Sequence, residues 1–406
     1  MMKAETLGCG NGTGGVTPGA AKLLQEAQEL EPWLQEIFFR LHRNPELGTQ
    51  EFQTQALILE ELEKMGIEAK PIADTGVLGI IRGGKPGKTV AFRADMDALP
   101  VQEDTGLPYA SQVPGVMHAC GHDVHVTVLL GAAKLLAAGR EIMQGNVKLF
   151  FQPAEEGIGG ANRMIRAGCM ENPKVDAVFF GHSSGSYPVG SVSIKAGPVS
   201  AASNPFAVTF RGKGAHGAAP HQGVDAILAA SQAVVALQSI SSRRTDPVDA
   251  AVISVGTFHA GTAPNVLPET ARIQGIIRTL TPETRERTVA SFRQVVGGIA
   301  AAMDVQAQIE IREGYASVSN DPEMTRRVGD AAAALFGSDA VHVQAAPSLG
   351  TEDVGYFFRH APGCYYHIGV GHTQALHSPH FAADPAALKY GAALYVRIAR
   401  DYLEGA

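Results

Sequence analysis

Apolar residues recur at helical spacing through residues 20–65, with Leu23, Leu24, Ala27 and Leu30 followed by Leu34, Ile37, Phe38 and Leu41. The run breaks at Asn44-Pro45-Glu46 and resumes over residues 52–65, which predicts two helices joined by a turn. Glycines then punctuate short β-type runs, and residues 89–93 (TVAFR) read as a buried strand ending at Asp95 and Asp97. Residues 126–138 are apolar on most faces, as a buried helix would be, and Gly139 closes them. Residues 147–152 (VKLFFQ) and 176–182 (DAVFFGH) are near-continuous apolar runs of the kind central parallel strands show.

From residue 198 the pattern changes. Strands are expected at 204–212, 250–260, 269–279 and 305–313, and helices at 225–240 and 282–303. The order β-α-β-β-α-β is the ferredoxin-like pattern, so residues 198–313 read as an inserted α+β domain. A helix at 323–336, a strand at 364–369 and a terminal helix at 385–403 restore the α/β character. The expected catalytic domain is therefore α/β and split, over residues 20–197 and 314–406. Residues 1–19 are rich in Gly and Thr and lack the apolar core of a signal peptide; they read as a disordered tail.

Composition narrows the classes. A chain of 406 residues, 45% of them hydrophobic, exceeds the size at which a single core keeps growing, so two domains are expected. The net charge of −7 and the absence of a Lys/Arg block argue against nucleic acid or an anionic membrane as partner and favour a small molecule. Cys9, Cys120, Cys169 and Cys364 lie far apart without CxxC pairing, as free thiols do in the reducing cytoplasm. The apolar stretch 129–138 is broken by Lys134, too early for a membrane span.

Candidate chemistry concentrates in residues 117–125, MHACGHDVH. A cysteine and histidines this dense can be metal ligands, a Cys/His nucleophilic pair, or a polar turn opening a helix. At a helix start the macrodipole favours the thiolate of Cys120. Glu155 and Glu156 leave the apolar strand 147–152, and on an extended segment their side chains would point to opposite sides, one for metal and one for protons. His182 also ends an apolar strand, where open α/β sheets build their sites. His216, His221, Asn265 and Arg278 stand out in the insert, His221 reading best as a turn residue. Together Cys120, His122, Glu156, His182 and His377 supply more donors than one tetrahedral zinc uses, so a pair of first-row ions fits better. Glu155 is then spare to take a proton from metal-bound water, and the reaction class is metal-assisted hydrolysis.

The segments RLHRNPELGTQE, FRADMDALP, MHACGHDVH, FQPAEEG, GAHGAAPHQGVDAI, APNVLPE, GTEDVGYF and LHSPHF follow one another in this chain. In that order they resemble the metal-dependent amidohydrolases that include hippurate hydrolases, bacterial N-acyl-amino-acid deacylases and plant auxin-conjugate hydrolases. The resemblance runs from about residue 34 to the C-terminal helix. It implies a mixed-sheet, zinc-peptidase-like catalytic domain with a ferredoxin-like dimerisation and lid domain, assembled as a homodimer or homotetramer. It implies two divalent ions, Mn or Zn with Co or Ni as alternatives, held by Cys120, His122, Glu156, His182 and His377. Glu155 would be general base and then proton donor to the leaving amine. His216 would stabilise the oxyanion, and Asn265 and Arg278 would contact the substrate's carbonyl and carboxylate. The implied substrate is an N-acyl or N-aroyl amino acid; a dipeptidase or carboxypeptidase is the alternative within the same chemistry.

Departures from the family pattern fall at Ser183-Ser184-Gly185-Ser186-Tyr187, where a hydrophobic, proline-bearing segment is usual, at His380, and in the GTEDV loop. Two other classes compete: a thiol hydrolase with Cys120 as nucleophile, and an inactive conjugate-binding protein, against which the presence of Glu155 beside all five donors argues.

Overall fold

The computed structural model describes residues 18–405. Most of the expected tail, with Cys9, lies outside the described residues, while Pro18 and Gly19 open the first helix. The chain divides into two compact units, Met1–Gly197 with Asn320–Ala345 and Tyr356–Ala406, and Pro198–Ser319 with Ala346–Gly355.

In the first unit the N-terminal helical region is three helices, Pro18–Glu29, Glu31–Arg43 and Phe52–Lys64, where two were expected. The extra break at Leu30 precedes Pro32. Proline has no N–H to continue the previous helix and a φ suited to a first turn, so it starts a new one.

Eight strands form one mixed sheet in the order Glu68–Ile72, Gly76–Arg82, Gln144–Gln152, Lys85–Asp95, Ala177–Ser184, Gly363–Gly369, Val192–Ile194, Val341–Val343. The four central strands, Gln144–Gln152 to Gly363–Gly369, run parallel to one another. Asp95, Gln152 and Ser184 therefore end on the same edge of the sheet. The helices His122–Ala138 and Ala387–Glu404 pack on these strands and on each other. Phe92 stacks on Tyr395 at 4.8 Å between ring centroids. The approach of the helices depends on Gly131, where a Cβ would lie 2.7 Å from Leu34 and 3.0 Å from Ala392. The helix His122–Ala138 is buried along nearly its whole length, as its even apolarity requires.

The second unit has its own core, including Phe206, Val208, Phe210, Ile273 and Phe292. Its antiparallel sheet runs Ala251–Ala260, Thr270–Thr279, Ala202–Arg211, Gln306–Ile311. With the helices Ala226–Ser239 and Pro282–Ala302 between strands, this is the ferredoxin-like strand order. Asp225 and Thr281 cap the two helices, accepting from the N–H of Leu228 and Thr284.

Candidate metal centre

The parallel strand ends and the helix start that follows them deliver the donors. The helix carrying His122 begins at His122 itself, four residues ahead of the expected 126, with Gly121 in the left-handed region at φ 79°. This bend turns Cys120 and His122 to the same place. A Cβ at Gly121 would sit 2.2 Å from Ser183 Oγ, the hydroxyl that donates to the carbonyl of Cys120 at 3.1 Å. Gly121→Ala is therefore expected to lower stability by about 1–3 kcal/mol from backbone strain alone, and to reduce bound metal. Urea unfolding and metal analysis check this; an unchanged midpoint with full metal content would contradict it.

Glu155 and Glu156 do not lie on an extended segment, as the sequence suggested, but in a turn. Ala154 adopts φ 53°, with its N–H donated to Glu51 Oε1 at 2.8 Å. Asp97 accepts the N–H groups of both Glu155 and Glu156, at 3.1 and 3.0 Å. The pair is thus set by a clamp of two buried carboxylates, and both side chains fall on the side of His122: single ligand atoms of His122, Glu155 and Glu156 lie within 4.8 Å of one another.

His182, next to last but one in its strand, bonds through Nδ1 to the carbonyl of Ser183 at 2.8 Å, which leaves Nε2 facing Cys120 Sγ at 3.6 Å. His377 also has a positive φ, 66°, and donates its backbone N–H to the carbonyl of Ala119. Its Nε2 lies 3.2 Å from Glu156 Oε1. His380, which departs from the family pattern three residues on, is turned elsewhere: its Nδ1 donates to the carbonyl of Asp104 at 2.6 Å.

The five expected donors therefore converge. Ligand atoms of Cys120, His122 and His182 lie within 4.8 Å of one another, as do those of Cys120, Glu156 and His377, and Cys120 belongs to both groups. Their chemistry fits divalent cations. His122 Nε2 and Glu156 Oε1 are buried, 3.9 Å apart, and make no hydrogen bond. Cys120 and Glu156 hold the His377 imidazole up at about 10. Burial opposes protonation of His122, yet Asp95 and Cys120 raise it well above the usual histidine range. A site that draws protons onto two histidines is short of positive charge. Thiolate, imidazole and carboxylate together suit first-row ions.

A second layer fixes these donors, and only part of it was legible in the sequence. His122 Nδ1 faces Asp97 Oδ1 at 3.3 Å, the carboxylate support typical of a ligating histidine. His125 accepts from the Ser183 N–H through Nε2 and so donates through Nδ1 to Asp95, leaving neither nitrogen for a metal. Burial drives its pKa down to about 3. Asp95 also pairs with Arg93 at 2.8 Å, both fully buried, while Arg93 donates to Gln152 and lies over the Phe180 ring. One guanidinium thus pins the ends of three neighbouring strands. Glu51, Arg93 and His42 were not singled out by sequence reasoning; Glu51 and His42 lie within the RLHRNPELGTQE segment, the only signal that pointed near them. Both ring nitrogens of buried His118 make no hydrogen bond.

The remaining candidates belong to the second unit. His216 pairs with Val266 in a short ribbon, and the Gly217 N–H donates to the Asn265 carbonyl at 2.7 Å, so His216 and Asn265 are neighbours. The Ala218 N–H donates to His216 Nδ1, which places the ring proton on Nε2. Arg278 lies in the strand Thr270–Thr279, its Nη1 buried without a hydrogen bond. His221 sits exposed in the short helix Pro220–Gln222.

The profile of peptidase family M20/M25/M40 matches residues 91–401. Thermostable carboxypeptidase 1 of Saccharolobus solfataricus is 41% identical over 388 residues, covering 93% of this chain and 97% of that protein. N-acetyl-L-cysteine deacetylase of Bacillus subtilis is 41% identical over 360 residues, covering 88% and 85%. A crystal structure of a dinuclear metal-binding M20 peptidase from Bacillus subtilis superposes with a TM-score of 0.83 at 35% identity, covering 93% of this chain and 99% of its own. The chain belongs to peptidase family M20/M25/M40 and is a metal-dependent hydrolase of that family.

Proposed function

We propose that the protein hydrolyses the amide bond of N-acyl or N-aroyl amino acids, releasing a carboxylic acid and an amino acid. The observation that carries this reading is the convergence of Cys120, His122, Glu156, His182 and His377 with Glu155 beside them. Those five residues would hold two divalent ions, Mn or Zn, which when bound supply Lewis acidity and lower the pKa of the attacking water.

Glu155, 6% exposed, takes the proton as the water oxygen bonds to the acyl carbon. It returns that proton to the amine nitrogen as the C–N bond breaks, so the carboxyl group ends as it began. His216, with its proton on Nε2, donates to the oxygen that gains charge at the acyl carbon. Asn265 would bind the carbonyl and Arg278 the carboxylate of the amino acid. Burial disfavours the charged form of Arg278, so a carboxylate partner would relieve its unpaired nitrogen.

The second unit would also form the contact of a homodimer. Its edge strand Ala251–Ala260 pairs on one side only, and Val252, Phe258, Ile227, Leu228 and Val235 are exposed apolar residues of this strand and the helix Ala226–Ser239. Among the described residues no helix is long and apolar enough to cross a membrane.

Peptides with a free C-terminus are a second reading, favoured by the 41% identity to a protein named as a carboxypeptidase. A panel of N-acetyl and N-benzoyl amino acids against dipeptides, assayed for released amino acid, decides between them. Faster turnover of the N-acyl compounds is expected; turnover of dipeptides alone would overturn the first reading in favour of the second.

A further inference from the structure

We propose that His42 is a positioning residue whose buried ring ties together the two chain segments that carry Cys120, His122 and His377. The inference rests on the ligand assignment above and goes beyond it. His42 lies near the end of the helix Glu31–Arg43, remote in sequence from every donor, with its side chain 3% exposed. Nδ1 is 2.6 Å from Asp123 Oδ2, and Nε2 is 3.3 Å from Glu103 Oε1; both carboxylates have side chains 2% exposed.

Each carboxylate leads to a different ligand segment. Asp123 follows His122 in the first turn of its helix, and its second oxygen accepts the Val124 N–H. Glu103 precedes Asp104, whose N–H donates to the carbonyl of Pro379 and whose own carbonyl accepts from His380. Residues 103–104 thereby grip the chain just beyond His377. The helix start and the His377 loop also meet through the backbone bond from His377 N–H to the Ala119 carbonyl.

An ionised carboxylate has no proton to donate, so a ring hydrogen-bonded to two of them carries both of its own protons and is a cation. Burial pulls the His42 pKa down, but Asp123 and Glu103 outweigh it and hold it at about 9. The ring is packed in place by Phe38 at 5.7 Å and Tyr109 at 5.4 Å between centroids. Without the cation the two buried carboxylates would lose the charge partner they share, and the tie between the segments they lead to would weaken.

The test follows metal on the intact holoenzyme. His42→Gln is expected to lose its ions to a chelator roughly 10–100-fold faster than the parent, the range for losing an outer partner of a ligand. Its kcat should fall with metal content while KM for the amide substrate stays near the parent value. Glu103→Gln leaves the His42–Asp123 pair in place and loosens only the His377 side, so its metal content is expected to fall from two ions towards one. It also carries the test if His42→Gln does not fold. Folded His42→Gln releasing metal at the parent's rate, or Glu103→Gln losing both ions together, would overturn the proposal. A parent protein that binds no metal would instead overturn the ligand assignment, and this inference with it.

Discussion

Replacing Glu155 with Gln is expected to leave the metal content unchanged and to lower kcat by roughly 10² to 10⁴, the range a positioned general base contributes. Gln keeps the shape and a hydrogen-bonding oxygen but cannot take a proton. The backbone of the Glu155–Glu156 turn is held by Asp97 and Glu51, neither of which depends on the Glu155 side chain. Glu156, the proposed ligand of the pair, should therefore stay where it is. Metal analysis beside steady-state kinetics checks both halves. Parent-level turnover in the variant would remove Glu155 from proton transfer, and loss of metal would make it a ligand.

His122→Ala is expected to lose both metal and activity. His122 faces Asp95, Asp97 and Glu156 within 4 Å, and its ring is 1% exposed. Removing it takes away a donor and leaves two buried carboxylates and the partly exposed Glu156 closer to unopposed. The fall in metal affinity should exceed the roughly 10–100-fold that loss of an outer partner brings, and turnover should fall below detection at metal concentrations that saturate the parent. Equilibrium dialysis and kinetics at matched metal concentration check this; parent-like affinity would exclude His122 from the ligand set.

Four of the five candidate ligands were legible because they stand in short motifs just after an apolar strand or at the start of an apolar helix, and His377 was legible from the LHSPHF segment alone. Such runs identify buried parallel strands, and their C-terminal ends are where side chains gather. The split of the helices at Pro32 was missed because the apolar spacing continues across it; one missing N–H decides the matter. The start at His122 was hidden for the opposite reason. His122, Asp123 and His125 look polar and solvent-facing, yet they are buried by partners distant in sequence. The turn at Glu155 depends on a bond between Ala154 and Glu51, 103 residues away, and no local pattern carries that. His377 and His380 are alike by type, and the motif favours His377; the structure turns His377 to Glu156 and engages His380 with the Asp104 carbonyl.

The central claim, hydrolysis at a dinuclear metal site, is tested most directly by removing the metal. The protein is freed of ions with a chelator, then assayed for release of free amino acid from an N-acyl amino acid while Mn²⁺, Zn²⁺ or Co²⁺ is titrated back. Activity should vanish on removal and return as two ions bind per chain. Full turnover by the metal-free protein would contradict the account and leave Cys120 to act as a nucleophile.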